Sequence, residues 1–395
     1  MPMSESKPDS PPSTNPSETI SMTRSTTLWP FGLIFSISVP VVAALLLFQL
    51  DSFDPAPIPT HEFTRHIVSV PRRNARMLIG SDTIGFGQLL APEDLAYDPH
   101  SKLIYTGCSD GWIKRVTVNE SAAATVVENW INTGGRPLGL VLGHNKNEVI
   151  VADADKGLLK VTEDGKVKLL TKEAEGVEFK LTDGVDIADD GMIYFTDASY
   201  KYNLSSFIWD FLEGKPHGRL MSYDPSTKKT EVLVRDLYFA NGVTVSPDQN
   251  FLVFCETPMR RCKKYYIKGK RKGSVDVFIY NLPGMPDNIR YDGEGHYWIA
   301  LSTEATFSWD MAQRYPWIRK GLAIMERYTG RPPMERNGGV LAVDLEGKPT
   351  AHYYDLQLSL VSSGIKIGDH LYCGSVVYPY IIRLNLTQNP ALANI

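Results

Sequence analysis

A chain of 395 residues, 43% hydrophobic and 22% charged, is long enough to bury a large core. Its net charge of -4 and pI near 6.1 exclude a global electrostatic pull toward nucleic acid. Four cysteines are too few for a disulfide framework.

Residues 1–27 are rich in Ser, Pro and Thr and nearly free of large apolar side chains. Such a composition cannot offset ordering entropy and reads as a disordered cytosolic tail. From Leu28 to Phe48 there are 21 residues without a charge, enough to cross roughly 30 Å of hydrocarbon as a helix. The run is too long for a usual signal-peptide core, and no small-residue cleavage site follows it. Trp29 stands at an interfacial position, and Pro40 is tolerated in a membrane helix. Residues 28–50 are therefore expected to be an uncleaved signal anchor. Lys7 and Arg24 precede it while Asp51 and Asp54 follow, which favours the N-terminus in the cytosol. The expectation is a single-pass type II protein of the endomembrane system with a luminal or extracellular body. Sequons at Asn119, Asn203 and Asn385 fit that side of the membrane. Residues 51–74, with the Pro-rich run Asp54 to Pro59, form a linker and lead-in to a domain over 75–395.

That domain repeats one pattern six times: a polar residue, a strand, a short turn and a second strand. In the third copy Asp183 opens the unit, Asp189-Asp190-Gly191 turns, and Ile193-Tyr194-Phe195 returns. The copies begin at Glu93, Leu138, Asp183, Asn241, Asp287 and Ser363, spaced 45, 45, 58, 46 and 76 residues apart. Further strand-like pieces follow each pair. The period predicts an all-β, six-bladed β-propeller of about four strands per blade. The longest insertion, Glu304 to Arg336, carries Trp309, Tyr315 and Trp317, and a shorter one, Tyr200 to Pro216, carries Phe207, Trp209 and Phe211. Each is expected either to lie over a mouth of the channel or to pack on a blade edge.

Pseudo-rotation carries equivalent positions into a ring around the axis. Four of the six members, Glu93, Asp183, Asn241 and Asp287, offer carboxylate or amide oxygen, and Asn288 follows Asp287. Facing carboxylates repel and are costly to desolvate unless a cation compensates, and Ca²⁺ takes such a mixed oxygen shell. The ring is thus a candidate Ca²⁺ site, with Asp287 also a candidate nucleophile or base. Other features are weaker. Cys255 and Cys262 are spaced either for pairing across a hairpin or for separate buried thiols. His144, His296 and His370 fall in turns or at a strand start and are not expected to act as bases. The basic run Arg260 to Lys272 reads as a solvated hairpin edge.

The segments GGRPLGL (134–140), DGMIYFTDAS (190–199), GRLMSYDP (218–225), NGVTVSPD (241–248) and DNIRYDGEGHYWIAL (287–301) resemble the strictosidine synthase-like proteins, and more closely the membrane-anchored branch similar to adipocyte plasma membrane-associated protein. The wider superfamily includes Ca²⁺-dependent lactonases, phosphotriesterases, gluconolactonases and an amine–aldehyde condensing synthase. The resemblance implies Ca²⁺ ligation by Glu93, Asn241, Asp287 and Asn288, with Asp183 where Asn is usual. It also implies that a synthase would carry a glutamate at the sixth-blade position, which here is Ser363. The function expected is a Ca²⁺-dependent hydrolase of small esters or lactones, of the arylesterase or lactonase type. The alternatives are an alkaloid-type condensing enzyme or a non-catalytic Ca²⁺-binding propeller. The expected partners are a small-molecule substrate and a membrane, with no nucleic acid.

Overall fold

Each repeat copy supplies the two inner strands of a four-stranded antiparallel sheet, and six such sheets stand around one axis. The computed structural model describes residues 29–63, 66–145, 148–330 and 336–393. The expected disordered tail lies outside them. Blades 1 to 5 are continuous in sequence, over residues 95–132, 137–171, 182–237, 240–279 and 284–354. Blade 6 takes three strands from residues 361–385 and its outermost strand from Ser81–Ile84, near the other end of the domain. This pairing, with Ser81 opposite Leu384 and Ile84 opposite Ile381, closes the ring. Blade 5 is widened at its outer edge by Arg72–Asn74 and Leu392–Ala393.

The core is divided among the gaps between blades, with one apolar cluster in each of the six gaps. Tyr105, Ile113, Leu140 and Val151 fill the gap between blades 1 and 2, and Val253, Ile289, Ile299 and Leu341 that between blades 4 and 5. Middle strands are covered on both faces, so Val149–Asp153 and Ile193–Asp197 are buried along their whole length. This explains why Val149 to Ala152 and Ile193 to Phe195 read as apolar runs instead of alternating, while the buried Asp153 and Asp197 that follow are hydrogen-bonded.

The inner strands converge so closely that the residue after a ring position is usually glycine. A Cβ on Gly139 would stand 2.3 Å from the Asp183 carbonyl oxygen, and one on Gly242 would stand 2.6 Å from Cα of Asn288. Blades 1 and 5 break this rule with Asp94 and Asn288.

The domain begins at Ser52 and the preceding segment forms a separate unit. Trp29–Leu50 is one helix of 22 residues with Pro40 inside it. Among residues whose side chains are described, no helix is long and apolar enough to cross a membrane. Residues 53–62 pack on the domain: Phe53 meets Trp209 edge-on at 5.3 Å, Ile58 is buried with Tyr238 and Met259, and the Ala56 N–H donates to the Glu213 carbonyl at 2.8 Å.

The basic run departs from its expected solvated edge. Arg260 and Arg261 are buried, the first paired with Asp310 at 2.7 Å and the second with Glu256 at 2.6 Å. Only Lys268, Lys270, Arg271 and Lys272 of the basic residues in the run are exposed. The reason is tertiary, because helix Phe307–Arg314 from the long insertion covers the turn at Arg260. Cys255 and Cys262 face each other in register on adjacent strands and form a disulfide, while Cys108 and Cys373 are buried thiols.

Candidate functional site

The inner-strand starts of blades 1, 3, 4 and 5 bring Glu93, Asp183, Asn241 and Asp287 to one end of the channel, where all four line a single cavity. All but Asp287 are less than 9% exposed, and burial is the first cause of the raised pKa of each of the three carboxyls. The second cause in every case is another member of the ring: Asp287 raises Glu93, Glu93 raises Asp183, and Asp183 raises Asp287. The Asn241 amide opposes this at Asp287 through a side-chain hydrogen bond. Two oxygens at the site, Glu93 Oε2 and Asn241 Oδ1, are buried without a hydrogen-bond partner. Such atoms are rare because leaving them unmade costs roughly 1–3 kcal/mol each.

Asn288 does not line the cavity. Its amide nitrogen donates to Glu93 Oε1 at 2.7 Å, so it orients the glutamate from the side. Ser363 is also absent from the lining; it is fully buried and donates to Asp94 Oδ1 at 3.0 Å. Asp94 in turn accepts from the Leu95 N–H at 2.8 Å, the Leu140 N–H at 3.1 Å and the Arg290 guanidinium. Arg290 reaches the Leu140 and Val185 carbonyls at 3.0 and 3.1 Å, one layer further along the inner strands. Asp94 and Arg290 therefore plug the channel behind the ring. Sequence reasoning missed both, although the break in the glycine rule at Asp94 and Asn288 was a visible signal. His144, His296 and His370 lie away from the lining.

The cavity is about 650 Å³. Its far side is apolar and is built by both insertions, which are helical: Phe207–Glu213 from the shorter one, and Phe307–Arg314 followed by Pro316–Thr329 from the longer. Phe207, Phe211, Phe239 and Trp309 meet there, with Phe211 and Phe239 edge-on at 4.8 Å. The Trp309 indole N–H and the Gln313 amide both donate to the Pro258 carbonyl, and Thr306 caps the helix on the Trp309 N–H at 3.2 Å. An acidic floor beneath an aromatic roof suits a small molecule with one polar reacting centre and an apolar body.

Could the floor hold Ca²⁺? Among the described residues no three His, Cys, Asp or Glu are grouped closely enough to hold a metal by themselves. The mixed set does fit by chemistry: it is all oxygen, it holds three like charges that disfavour one another, and it leaves two buried oxygens without partners.

A family model described as strictosidine synthase matches residues 183–270, and one for the N-terminal part of strictosidine synthase-like proteins matches residues 74–116. Protein STRICTOSIDINE SYNTHASE-LIKE 6 of Arabidopsis thaliana is 56% identical over 361 residues, covering 91% of this chain and 96% of the relative. The chain belongs to the strictosidine synthase-like family. Family relatives extend to animals: adipocyte plasma membrane-associated protein of Gallus gallus is 32% identical, covering 90% of this chain and 89% of its own. Among solved structures, a gluconolactonase from Xanthomonas campestris has a TM-score of 0.56 at 15% identity, covering 82% of this chain and 98% of that one. A calcium-binding regucalcin from Agrobacterium tumefaciens has a TM-score of 0.51 at 14% identity, over 81% and 95%. At these identities the likeness concerns the fold of this strictosidine synthase-like chain, the six-bladed propeller.

Proposed function

We propose that this protein is a membrane-anchored, Ca²⁺-dependent hydrolase of small esters or lactones. The observation that carries the reading is the pair of unpartnered buried oxygens, Glu93 Oε2 and Asn241 Oδ1, set among mutually repelling carboxyls at the floor of an apolar cavity. Glu93, Asp183, Asn241 and Asp287 are the residues that would hold the ion. When bound, it supplies Lewis-acid polarisation of a carbonyl oxygen. The chain's own residues do the remainder. The Phe211, Phe239 and Trp309 side chains seat the apolar part of the substrate and exclude bulk water. Asn288 and the Asp94–Arg290 pair hold the floor in place from behind. Asp287 is the carboxyl placed to act as nucleophile or base. Without the ion, burial and Asp183 hold it above the usual carboxylate range, and a bound cation would draw it back toward the carboxylate form.

The test is metal content of the purified protein together with turnover on aryl ester and lactone panels. Ca²⁺ near one equivalent is expected, with at least about a hundredfold loss of rate in chelator or in Asn241→Ala and Asp287→Asn, the scale seen when a charge-stabilising group is removed. Full activity in chelator, or in either variant, would sink the mechanism.

The condensing-enzyme reading requires a glutamate on blade 6. Ser363 instead donates a hydrogen bond to Asp94 within a filled space. Ser363→Glu would crowd a second carboxylate against Asp94, so it is expected to lower the melting temperature and to form no product from tryptamine and secologanin. Product formation would reverse this ranking.

The anchor belongs to the same proposal. The uncharged helix Trp29–Leu50 supports it, as does a relative whose name places it at the plasma membrane. The Cys255–Cys262 disulfide fits an oxidising compartment for the body. Asn119 and Asn203 are exposed as glycan acceptors should be, whereas Asn385 is half-buried with its Oδ1 accepting from the Thr387 and Gln388 N–H groups. Release of the full chain from membranes by alkaline carbonate would remove the anchor from this reading.

A further inference from the structure

The ring of oxygens is open on one side. Blade 2 contributes Leu138, which has no donor, and two residues earlier stands Arg136. Among the described residues that line the cavity, Arg136 is the one Lys, Arg or His. It is only 8% exposed. Buried Arg219 and Arg261 lie against Asp197 and Glu256, and half-buried Arg290 against Asp94. Buried Arg319 donates to main-chain carbonyls instead, but it lies outside the cavity lining. The Arg136 guanidinium does so beside the acidic floor. Among the described residues its hydrogen bonds go to main-chain carbonyls: Ala91 at 3.0 Å, and Gly107 and Pro137 both at 3.4 Å. Arg136 lines the same cavity as Glu93 and Asp183. A buried cation solvated by three neutral carbonyls, two of them at long range, is incompletely compensated.

We propose that Arg136 receives the carboxylate of an amphipathic acid, whose apolar aryl or acyl body lies under the Phe211–Phe239–Trp309 roof. Glu93 and Asp183 repel an anion placed among them, so the side opened by Leu138 is where a carboxylate is tolerated. The inference rests on the ester- and lactone-hydrolase reading for its physiological meaning. Hydrolysis adds water across the acyl C–O bond, placing hydroxyl on the acyl carbon and a proton on the departing oxygen. The acid so formed ionises at neutral pH and becomes a partner for Arg136. Arg136 then determines specificity by selecting substrates whose acyl side becomes, or already carries, such a group. Binding of the acid itself needs no turnover, which separates the two claims.

The experiment is calorimetric binding of 4-phenylbutyrate and 4-phenylbutan-1-ol to the full chain in nanodiscs, with empty nanodiscs as the blank, in Ca²⁺ and in chelator. The wild type is expected to bind the acid at least about tenfold more tightly than the alcohol, in line with a hydrogen bond to a charged group. Arg136→Gln should bring the acid to the affinity of the alcohol and leave the alcohol unchanged, and Arg136→Lys should keep part of the preference. Equal binding of acid and alcohol by the wild type overturns the proposal whether or not either variant folds. A preference that survives in Arg136→Gln also overturns it, and if that preference needs Ca²⁺ the ion holds the carboxylate instead. Absence of Ca²⁺-dependent turnover with the Arg136-dependent preference intact sinks only the hydrolase reading.

Discussion

Glu93, Asp183 and Asp287 share one end of the channel, each raised above its usual range by burial first and by a ring neighbour second. A raised native pKa means that the folded chain keeps protons the unfolded chain has lost. Stability from these groups is therefore fully present below the ordinary carboxylate range, about pH 4, and is lost as pH rises through the folded-state values. In chelator the protein is expected to melt at a higher temperature at mildly acidic pH than at neutral pH. Added Ca²⁺ should raise the melting temperature most at neutral pH, where the repulsion is largest. Asp183→Asn removes one of the three charges and should stabilise the chelated protein by about 1–2 kcal/mol, or ~2–4 °C for each kcal/mol, while weakening Ca²⁺ stabilisation. Calorimetry with and without chelator checks both effects. An unchanged chelated melting temperature in that variant would show that the three groups do not share the site's electrostatic cost.

The insertions matter as elements because one side chain ties them together. Arg319, on helix Pro316–Thr329, is fully buried, and burial is the main cause of its pKa falling to about 10. Its guanidinium donates to the Leu212 and Glu213 carbonyls, both at 3.0 Å, to Ala312 at 2.9 Å and to Ala56. Leu212 and Glu213 end helix Phe207–Glu213, where a cation opposes the helix dipole. One arginine thus joins the short insertion, the long insertion and the segment leading into the domain. A second polar cluster holds the same helix to blade 3: Ser199 and His217 both meet Asp210 Oδ2, at 2.6 and 3.0 Å. Arg319→Met leaves several carbonyls unmade at a cost of about 3 kcal/mol or more. The expected outcome is early proteolytic cleavage near residues 53–60 and within the insertions while the blades stay protected, with a raised KM for bulky esters. A drop in melting temperature with no such local sensitivity would show that Arg319 supports the blades and not the roof.

At the scale of the whole molecule, the ring is closed by hydrogen bonds between distant parts of the chain. Strand Ser81–Ile84 completes blade 6, reinforced by Asp82 with Arg383 at 2.6 Å. Blade 6 also supports the floor, since Ser362 donates to the Glu93 carbonyl at 2.7 Å and Ser363 to Asp94. A chain beginning at Phe86 should lose cooperative unfolding and Ca²⁺ stabilisation together, because an open edge strand and a displaced Glu93 follow from the same deletion. A chain beginning at Ser52 keeps every contact of the domain and should retain both. Equal thermal unfolding of the two truncations would mean that closure contributes little.

The blade count was legible in the sequence because one hairpin pattern recurs six times, and equivalent positions of a closed repeat must meet at its axis. For that reason Glu93, Asp183, Asn241 and Asp287 stand out as one group from the repeat alone. Asp94 left a signal where the glycine after a ring position is replaced, but its partnership with Arg290 was not legible, because it joins blades 1 and 5 across the channel. The role of Ser363 as donor to Asp94, the burial of Arg260 and Arg261, and the convergence of both insertions on one roof also depended on which segments lie against which. Period and residue type, repeated along the chain, therefore determined the propeller and its ring. Three-dimensional contact between segments distant in sequence decided what backs the ring and what roofs it.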